Sequence, residues 1–452
     1  MAVASFTTPP LALPGPRGHW LTGSLHDMAT DRLAFFDRCF REYGDAAGFR
    51  LANRRAVLLS HPDDIERVLV TESRQFEKNY ALRLLRPLLG QGLLLAEGDH
   101  WLRQRRLIQP VFSRSQVEGY APAMVELTQQ MLAGWKPGAP CNLHQEMTRL
   151  TMSIAGKTLL GVDVSGRFGE VATCLETVLR DFLVRFSRAL PLPMWVPTLG
   201  NLRLKRAIGK LDQVLARLIE QRRGDSGSRG DFLSVLIRAR DEEDGRGLSD
   251  QQLRDEVMTM FLAGHETTAA ALTWTWFLLG QNLEVQARVQ AEVQQVLGNR
   301  PPAAADIPQL KLCENVLREA MRLYPPAYVV GRRALNNCVI GNHFIAKGTN
   351  VLMSQWVVHR DPRWYERPDE FLPDRWSSGL TSRLPKYAYF PFGGGPRVCI
   401  GNGFAMLEGV LVLATMAQKT GLLPITQPPI KLTPAITLRP AQPLWMQPSP
   451  RV

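Results

Sequence analysis

Hydrophobic and polar positions follow a helical period through the middle of the chain. Apolar residues recur at three- and four-residue spacing in segments 117–135, 142–161 and 203–222. This spacing places them on one face of an α-helix. The pattern therefore predicts a largely helical region from about residue 100 to about residue 320.

The longest predicted helix runs from residue 250 to about residue 281 and contains no proline. Ser249 followed by Gln252 fits a capping box, in which two side chains satisfy backbone N–H groups at a helix start. The second half is apolar on most sides, which predicts a helix that passes through the core. Its centre, FLAGHETTAA at 261–270, carries residues that lower stability or need hydrogen-bond partners in such a place. Local conflicts of this kind often mark functional sites.

Strand-like runs lie nearer to the two ends of the chain. AVLLS at 56–60 is one, and several short strands separated by turns are predicted within 325–355. A further helix is predicted at about 402–419. We therefore predict a mainly α fold with a smaller β portion made from both ends of the chain. Because no Ser/Gly linker, repeat or low-complexity block divides the sequence, residues 1–452 are predicted to form a single domain.

The balance of charges is basic, with a net charge of +12 and a pI near 9.7. Such a balance suits nucleic acid, an anionic membrane or an acidic protein partner. The basic residues are scattered and no nucleic-acid-binding motif accompanies them, so we predict no nucleic acid. Apolar runs long enough to span a bilayer are missing from the sequence, and we predict no transmembrane anchor. Six widely spaced cysteines without a CxxC pair indicate a reducing compartment, and a cytoplasmic location is expected.

The most specific motif is FGGGPRVCIGNGFA at 392–405. A glycine-rich turn brings Cys399 to the start of a predicted helix, where free backbone N–H groups favour a thiolate. This motif resembles the heme-binding signature of the cytochrome P450 family. The resemblance implies the P450 fold with a long central helix over the heme, Cys399 as the ligand to iron, and heme b (iron protoporphyrin IX) as the cofactor. It also implies that Phe392, Gly393 and Arg397 bind the cofactor.

Two further segments resemble the parts of the family that hold the heme propionates. Trp101 and Arg105, four residues apart on a predicted helix, match one of them, and Arg332 matches another. Read without the resemblance, the first segment is equally typical of a basic surface helix. His100 lies next to the matching position and is not expected to contact heme.

A third resemblance concerns structure. Glu319 and Arg322 share one helix face, and Arg375 follows in a Pro-rich segment. Taken alone, the helical pair is typical of a solvated surface. The family resemblance implies that the three residues form a buried triad that fixes the cysteine-bearing region.

The unusual centre of the long helix matches the family's oxygen-activation motif. Ala263 and Gly264 are expected beside the heme, with Gly264 allowing the helix to open. Thr267 would hydrogen-bond to dioxygen or its water, and Glu266 would connect that water to solvent as a proton source. An acid beside an alcohol suits the two-proton cleavage of an O–O bond. His265 is expected to pack away from the heme.

The resemblance implies a monooxygenase that inserts one oxygen atom from O2 into a hydrophobic substrate such as a fatty acid, terpene or steroid. The predicted pocket segments are 76–95, 182–197, 327–330 and 434–436. Because no flavin or iron–sulfur pattern is present, we expect an external donor, ferredoxin with ferredoxin reductase or a flavodoxin. Arg103, Arg106 and the surroundings of Arg397 are its candidate docking face. A peroxide-using relative and a non-catalytic heme sensor are the alternatives.

Overall fold

The computed structural model describes residues 13–136, 138–162, 174, 177–178, 181, 193–224, 231–241, 243, 245–377 and 379–450. Helices occupy most of the described chain. In the first half they are Leu25–Thr30, Arg32–Tyr43, Pro62–Glu66, Tyr80–Arg83, Arg86–Leu89, Gly98–Ile108, Arg114–Gly119, Ala121–Ala133 and Leu143–Ala155. In the second half they are Leu199–Gly224, Phe232–Arg238, Asp250–Gln281, Leu283–Leu297, Lys311–Leu323, Gln355–Val358, Leu380–Arg383 and Asn402–Ala417. The mainly helical prediction is confirmed.

The strands are short, and the described ones other than Cys141–Asn142 come from the two ends of the chain, as predicted. They are β1 (Ala46–Leu51), β2 (Arg54–Leu59), β3 (Phe76–Lys78), β4 (Cys141–Asn142), β5 (Val330–Ala334), β6 (Cys338–Ile340), β7 (His343–Ile345), β8 (Asn350–Met353), β9 (Gly421–Pro424), β10 (Leu432–Pro434), β11 (Leu438–Pro440) and β12 (Trp445–Ser449). The largest sheet has the order β1-β2-β8-β5-β3, with β2 and β8 parallel and the other pairs antiparallel. Smaller sheets are β4-β12-β9, β10-β11 and β6-β7.

The helix Asp250–Gln281, called the central helix below, organises the core. It begins at the predicted capping box: the Ser249 hydroxyl accepts from the Gln252 N–H at 3.3 Å, and the Gln252 side chain accepts from the Ser249 N–H at 2.9 Å. Its side chains are buried along most of its length, including Trp274 and Trp276 with no exposed area. An apolar surface on all sides explains why neighbouring helices cover it. None of the described helices is both long and apolar enough to cross a membrane.

Candidate active site

A cavity of about 650 Å³ lies between the middle of the central helix and the loop that carries Cys399. Ala263, Gly264 and Thr267 lie on its helix side. The predicted segments 76–95, 327–330 and 434–436 each contribute to the mostly apolar wall. In the fourth segment, residues 182–192 lie outside the described residues. Trp195 is described, but it is 78% exposed and absent from the cavity wall, so its predicted place in the pocket is wrong.

The loop before Cys399 is shaped by glycine. Gly395 has φ +66°, and an added Cβ would lie 1.9 Å from the carbonyl oxygen of Leu69, so a side chain does not fit there. The Cys399 N–H donates to the carbonyl of Phe392 at 3.0 Å, which closes the turn. Three residues after Cys399 the helix Asn402–Ala417 begins. Phe392, Gly393 and Cys399 all line the cavity.

Cys399 is the most exposed of the six free cysteines, and its side chain faces the cavity. Burial raises its pKa, while the backbone N–H of Gly401 and the charge of Arg105 lower it. The sequence predicted that the helix start would favour thiolate, but here burial is the larger effect. A cation bound to the sulfur is therefore the interaction that would hold it as a thiolate.

Three cations and one carboxylate lie together at another part of the cavity. Lys78, Arg332 and Arg397 all line the wall. Arg397 forms an ion pair with Glu97 and donates to the carbonyl of Ala96 at 2.7 Å. Burial lowers the pKa of Arg332 to about 10 and that of Lys78 well below its ordinary value, and in both cases neighbouring cations add to the effect. Basic side chains thus outnumber carboxylates in this group, and their charged forms would be stabilised by an anionic ligand.

The helix Gly98–Ile108 adds the two residues predicted from it. The guanidinium of Arg397 lies 4.0 Å from the centre of the Trp101 ring, a cation–π contact that fixes both side chains. Arg105 donates to the carbonyl of Val398 at 3.1 Å, directly before Cys399. Trp101 and Arg105 thus lie on the cavity wall beside the cysteine loop. The surroundings of Arg397 stay a predicted docking region, but the guanidinium itself is only 15% exposed and is paired with Glu97.

The central helix presents the acid and the alcohol at the cavity. The Thr267 hydroxyl donates to the carbonyl of Ala263 at 2.7 Å, within the helix. Glu266 is 5% exposed, and its Oε1 accepts from the Thr437 hydroxyl at 2.8 Å and lies 3.8 Å from Arg439. The helix is continuous at Gly264, where the sequence suggested that it could open.

His265, in contrast, points away from the cavity. It is 2% exposed, its Nδ1 lies 2.7 Å from the carbonyl of Phe261, and it is not part of the cavity wall. This agrees with the expectation that it packs in the core.

The predicted triad comes together around Glu319. This carboxylate accepts from Arg322 through two bonds of 2.9 Å, from Arg375 at 2.9 Å, from the Trp376 ring at 2.9 Å and from the Leu372 N–H at 3.0 Å. Glu319 and Arg322 have no exposed area, so the pair is not the solvated one that their spacing alone suggested. The remaining guanidinium donors of Arg322 are used by the carbonyls of His359, Pro368 and Glu370.

Sequence reasoning missed several residues of this site. Lys78 falls in the predicted pocket segment 76–95 but was not singled out, and the partners of Glu266 lie more than 170 residues further along the chain. Glu408, on the helix after Cys399, does not line the cavity; it is 1% exposed, and the side chain that interacts with its carboxyl group is Thr268 of the central helix. Burial raises its pKa well above the ordinary value, which favours the neutral acid. A charged residue in an otherwise apolar helix was the available indication.

The comparisons with known proteins agree with this geometry. The family model described as cytochrome P450 matches residues 13–446. Cyclooctatin synthase of Streptomyces melanosporofaciens is 37% identical over 439 residues, covering 96% of this chain and 95% of that protein. Pentalenene oxygenase of Streptomyces avermitilis is 33% identical over 384 residues, covering 83% and 84%. A crystal structure titled cytochrome P450DA heme domain superimposes with a TM-score of 0.90 at 28% identity and covers 98% of each chain.

Proposed function

This chain belongs to the cytochrome P450 family and is a heme-dependent monooxygenase of hydrophobic substrates, and from this premise we propose its substrate class and its electron donor. The substrate is a cyclic alkene or alkenol of the terpene class, and the electrons come from an external ferredoxin with its reductase, or from a flavodoxin. The observation that carries the proposal is the arrangement of Cys399 and the Glu266–Thr267 pair around one apolar cavity.

The residues present fit a heme. Cys399 would hold the iron, and the excess cations at the wall would hold the propionates: Lys78, Arg332 and Arg397, with Arg105 and Trp101 beside them. The form of the cofactor is proposed to be heme b. When bound through a thiolate, heme supplies the reductive activation of dioxygen.

The protein's own contribution is to hold substrate and to move protons. The mostly apolar wall offers few hydrogen bonds to a bound molecule, so it favours a hydrocarbon over a polar molecule. The Thr267 hydroxyl is placed to hold a proton at its Oγ1 on the cavity side of the central helix. Glu266 lies one residue earlier on the same wall, and there it can exchange a proton with a water. This acid–alcohol pair favours the monooxygenase over the peroxide-using and sensor alternatives.

The substrate class rests on the relatives together with the cavity. The names of three relatives refer to cyclooctatin, to cyclooctat-9-en-7-ol and to pentalenene. The last two names denote a cyclic alkenol and an alkene, which have few polar groups. A cavity with mostly apolar walls matches such molecules.

The predicted docking face for the electron donor, at Arg103 and Arg106, is less basic than the sequence suggested. Arg103 lies 3.5 Å from Asp241, and Arg106 pairs with both Asp241 and Glu243. These carboxylates offset much of the positive charge of the two arginines. Docking through them would accordingly show only a weak dependence on salt. A cytoplasmic location stays a prediction.

The test is a turnover assay of the heme-loaded protein with a panel of cyclic terpene alkenes and alkenols. We expect hydroxylated or epoxidised product with NADPH, ferredoxin and ferredoxin reductase, and little product with hydrogen peroxide alone. Product formed equally well from peroxide would favour the peroxide-using alternative. Heme binding without product from terpenes, fatty acids or steroids would favour the sensor. In all cases Cys399→Ser should lose the thiolate-type absorption band of the reduced carbon monoxide complex.

A further inference from the structure

The helix Leu199–Gly224, called the basic helix below, has one face that no described element covers. Its inner face is buried and apolar and packs into the core beside the central helix. The buried side chains are Leu204, Ala207, Ile208, Leu211, Leu215 and Ile219. Packing against the described residues therefore does not account for the residue types of the outer face.

Cations dominate this outer face. Five exposed basic residues lie within fifteen positions: Arg203, Lys205, Arg206, Lys210 and Arg217. Among the described residues none of the five forms an ion pair, unlike Arg222 and Arg223 at the end of the same helix. The nearby Asp212 is already bound to Arg254 through hydrogen bonds of 2.5 and 2.8 Å. Even with the exposed Glu220 counted, the helix carries an excess of positive charge without a described partner, which favours attraction to an anionic surface.

Large apolar side chains adjoin the cations at the start of the helix. Trp195 is 78% exposed, Leu199 is 82% exposed and Leu202 is 38% exposed. Tryptophan is enriched where an apolar environment meets water, because its ring is amphipathic. Apolar groups surrounded by Lys and Arg form the pattern of segments that lie in the interface of a bilayer. An acidic protein or a nucleic acid would explain the cations but would leave the exposed Trp and Leu without a role.

We propose that the basic helix docks on an anionic phospholipid surface. The side chains of Trp195 and Leu199 enter the boundary between head groups and acyl chains. The cations from Arg203 to Arg217 bind the phosphates along the helix. At 1.5 Å per residue, the 26-residue helix extends about 39 Å, so it can lie along the surface. Binding is peripheral, because the apolar face of the helix is used by the protein core.

The first experiment measures co-sedimentation of the heme-loaded protein with vesicles. Phosphatidylcholine alone is compared with a 3:1 mixture of phosphatidylcholine and phosphatidylglycerol. We expect binding to the mixture that weakens as salt is raised, and little binding to phosphatidylcholine alone. The variant Arg203→Glu/Arg206→Glu/Lys210→Glu should bind the mixture more weakly by a factor on the order of 100.

The matched control reverses three exposed charges elsewhere, Arg74→Glu/Lys347→Glu/Lys419→Glu, and changes the net charge equally. It should bind as the wild type does to within about threefold. Equal loss in both variants would show an effect of total charge and would overturn the docking face. No binding of the wild type to the anionic vesicles would overturn the proposal altogether. Heme content and the circular dichroism spectrum confirm that each variant is folded.

The second experiment separates a bilayer from an acidic protein. Trp195→Ser/Leu199→Ser should weaken vesicle binding about tenfold. The control Leu283→Ser/Phe344→Ser changes two apolar side chains elsewhere, each 42% exposed, and should not weaken it. Binding to soluble polyglutamate should not depend on Trp195. If vesicles and polyglutamate bind equally well and neither depends on Trp195, the surface serves an acidic protein and the proposal is wrong.

Discussion

Replacing Glu319 with alanine is the sharpest test of the interactions behind the cysteine loop. The carboxylate accepts five hydrogen bonds, two of them from Arg322, and neither residue has exposed area. Alanine would leave the charge of Arg322 buried without its counter-ion. Breaking a buried ion pair in this way costs about 3–5 kcal/mol. Unfolding entropy scales with chain length, so for 452 residues this corresponds to a fall in Tm of about 3–5 °C.

The same helix provides a control. Glu314 and Arg318 form an i,i+4 pair at 2.6 Å, but each side chain is 32% exposed. Such a pair contributes less than about 0.5 kcal/mol, so Glu314→Ala should change Tm by less than about 1 °C. The assay is thermal unfolding by circular dichroism together with the heme content of purified protein. If Glu319→Ala unfolds within about 1 °C of the wild type and carries a full complement of heme, the triad does not fix the cysteine region.

Three other predictions follow from the site. Thr267→Ala should keep heme and substrate binding but release more hydrogen peroxide per electron consumed; unchanged coupling of NADPH use to product would contradict its proton role. Lys78→Met should raise the Tm of the heme-free protein, because a buried cation is removed. The same change should speed the transfer of heme to apomyoglobin about tenfold to a hundredfold, because a proposed propionate contact is lost. Burial raises the pKa of Glu256 to about 8. The contribution of its protonated form to the free energy of unfolding is therefore complete below about pH 4.5 and is lost as the pH rises through 8. Glu256→Gln should therefore flatten the fall of Tm across this range, and exposed Glu284→Gln should not.

The sequence was sufficient where local chemistry decides the structure. The capping box at Ser249 fixed where the central helix starts, and the all-round apolar pattern indicated that it would be buried. The order of residues from Phe392 to Cys399 predicted a turn that needs glycine. In the structure, Gly395 lies so close to the backbone of Leu69 that a side chain would not fit. These features depend on neighbours in the chain, and periodicity and turn chemistry report on such neighbours directly.

The sequence was insufficient where partners are distant. The spacing of Glu319 and Arg322 could not show that both are fully buried, because the covering carbonyls come from residues 359–370. Lys78 gained its place at the cavity through the pairing of β3 with β5, opposite Arg332. Arg103 and Arg106 were expected to be free for a partner protein. Instead they pair with Asp241 and Glu243, which lie far from them in the sequence. In each case tertiary contacts decide the electrostatic environment.

The turn at residues 435–437 lines the cavity and also holds Glu266, the acid of the Glu266–Thr267 pair. Ala435 and Ile436 form part of the cavity wall, and the next residue, Thr437, donates to Glu266 at 2.8 Å. A substrate that presses on this turn would shift Thr437, and the hydrogen bond to Glu266 would lengthen or break. Because that bond and the charge of Arg439 hold the carboxylate in place, its freedom to exchange a proton would then depend on what occupies the cavity. We therefore expect substrate fit and proton supply to be linked through these three consecutive residues.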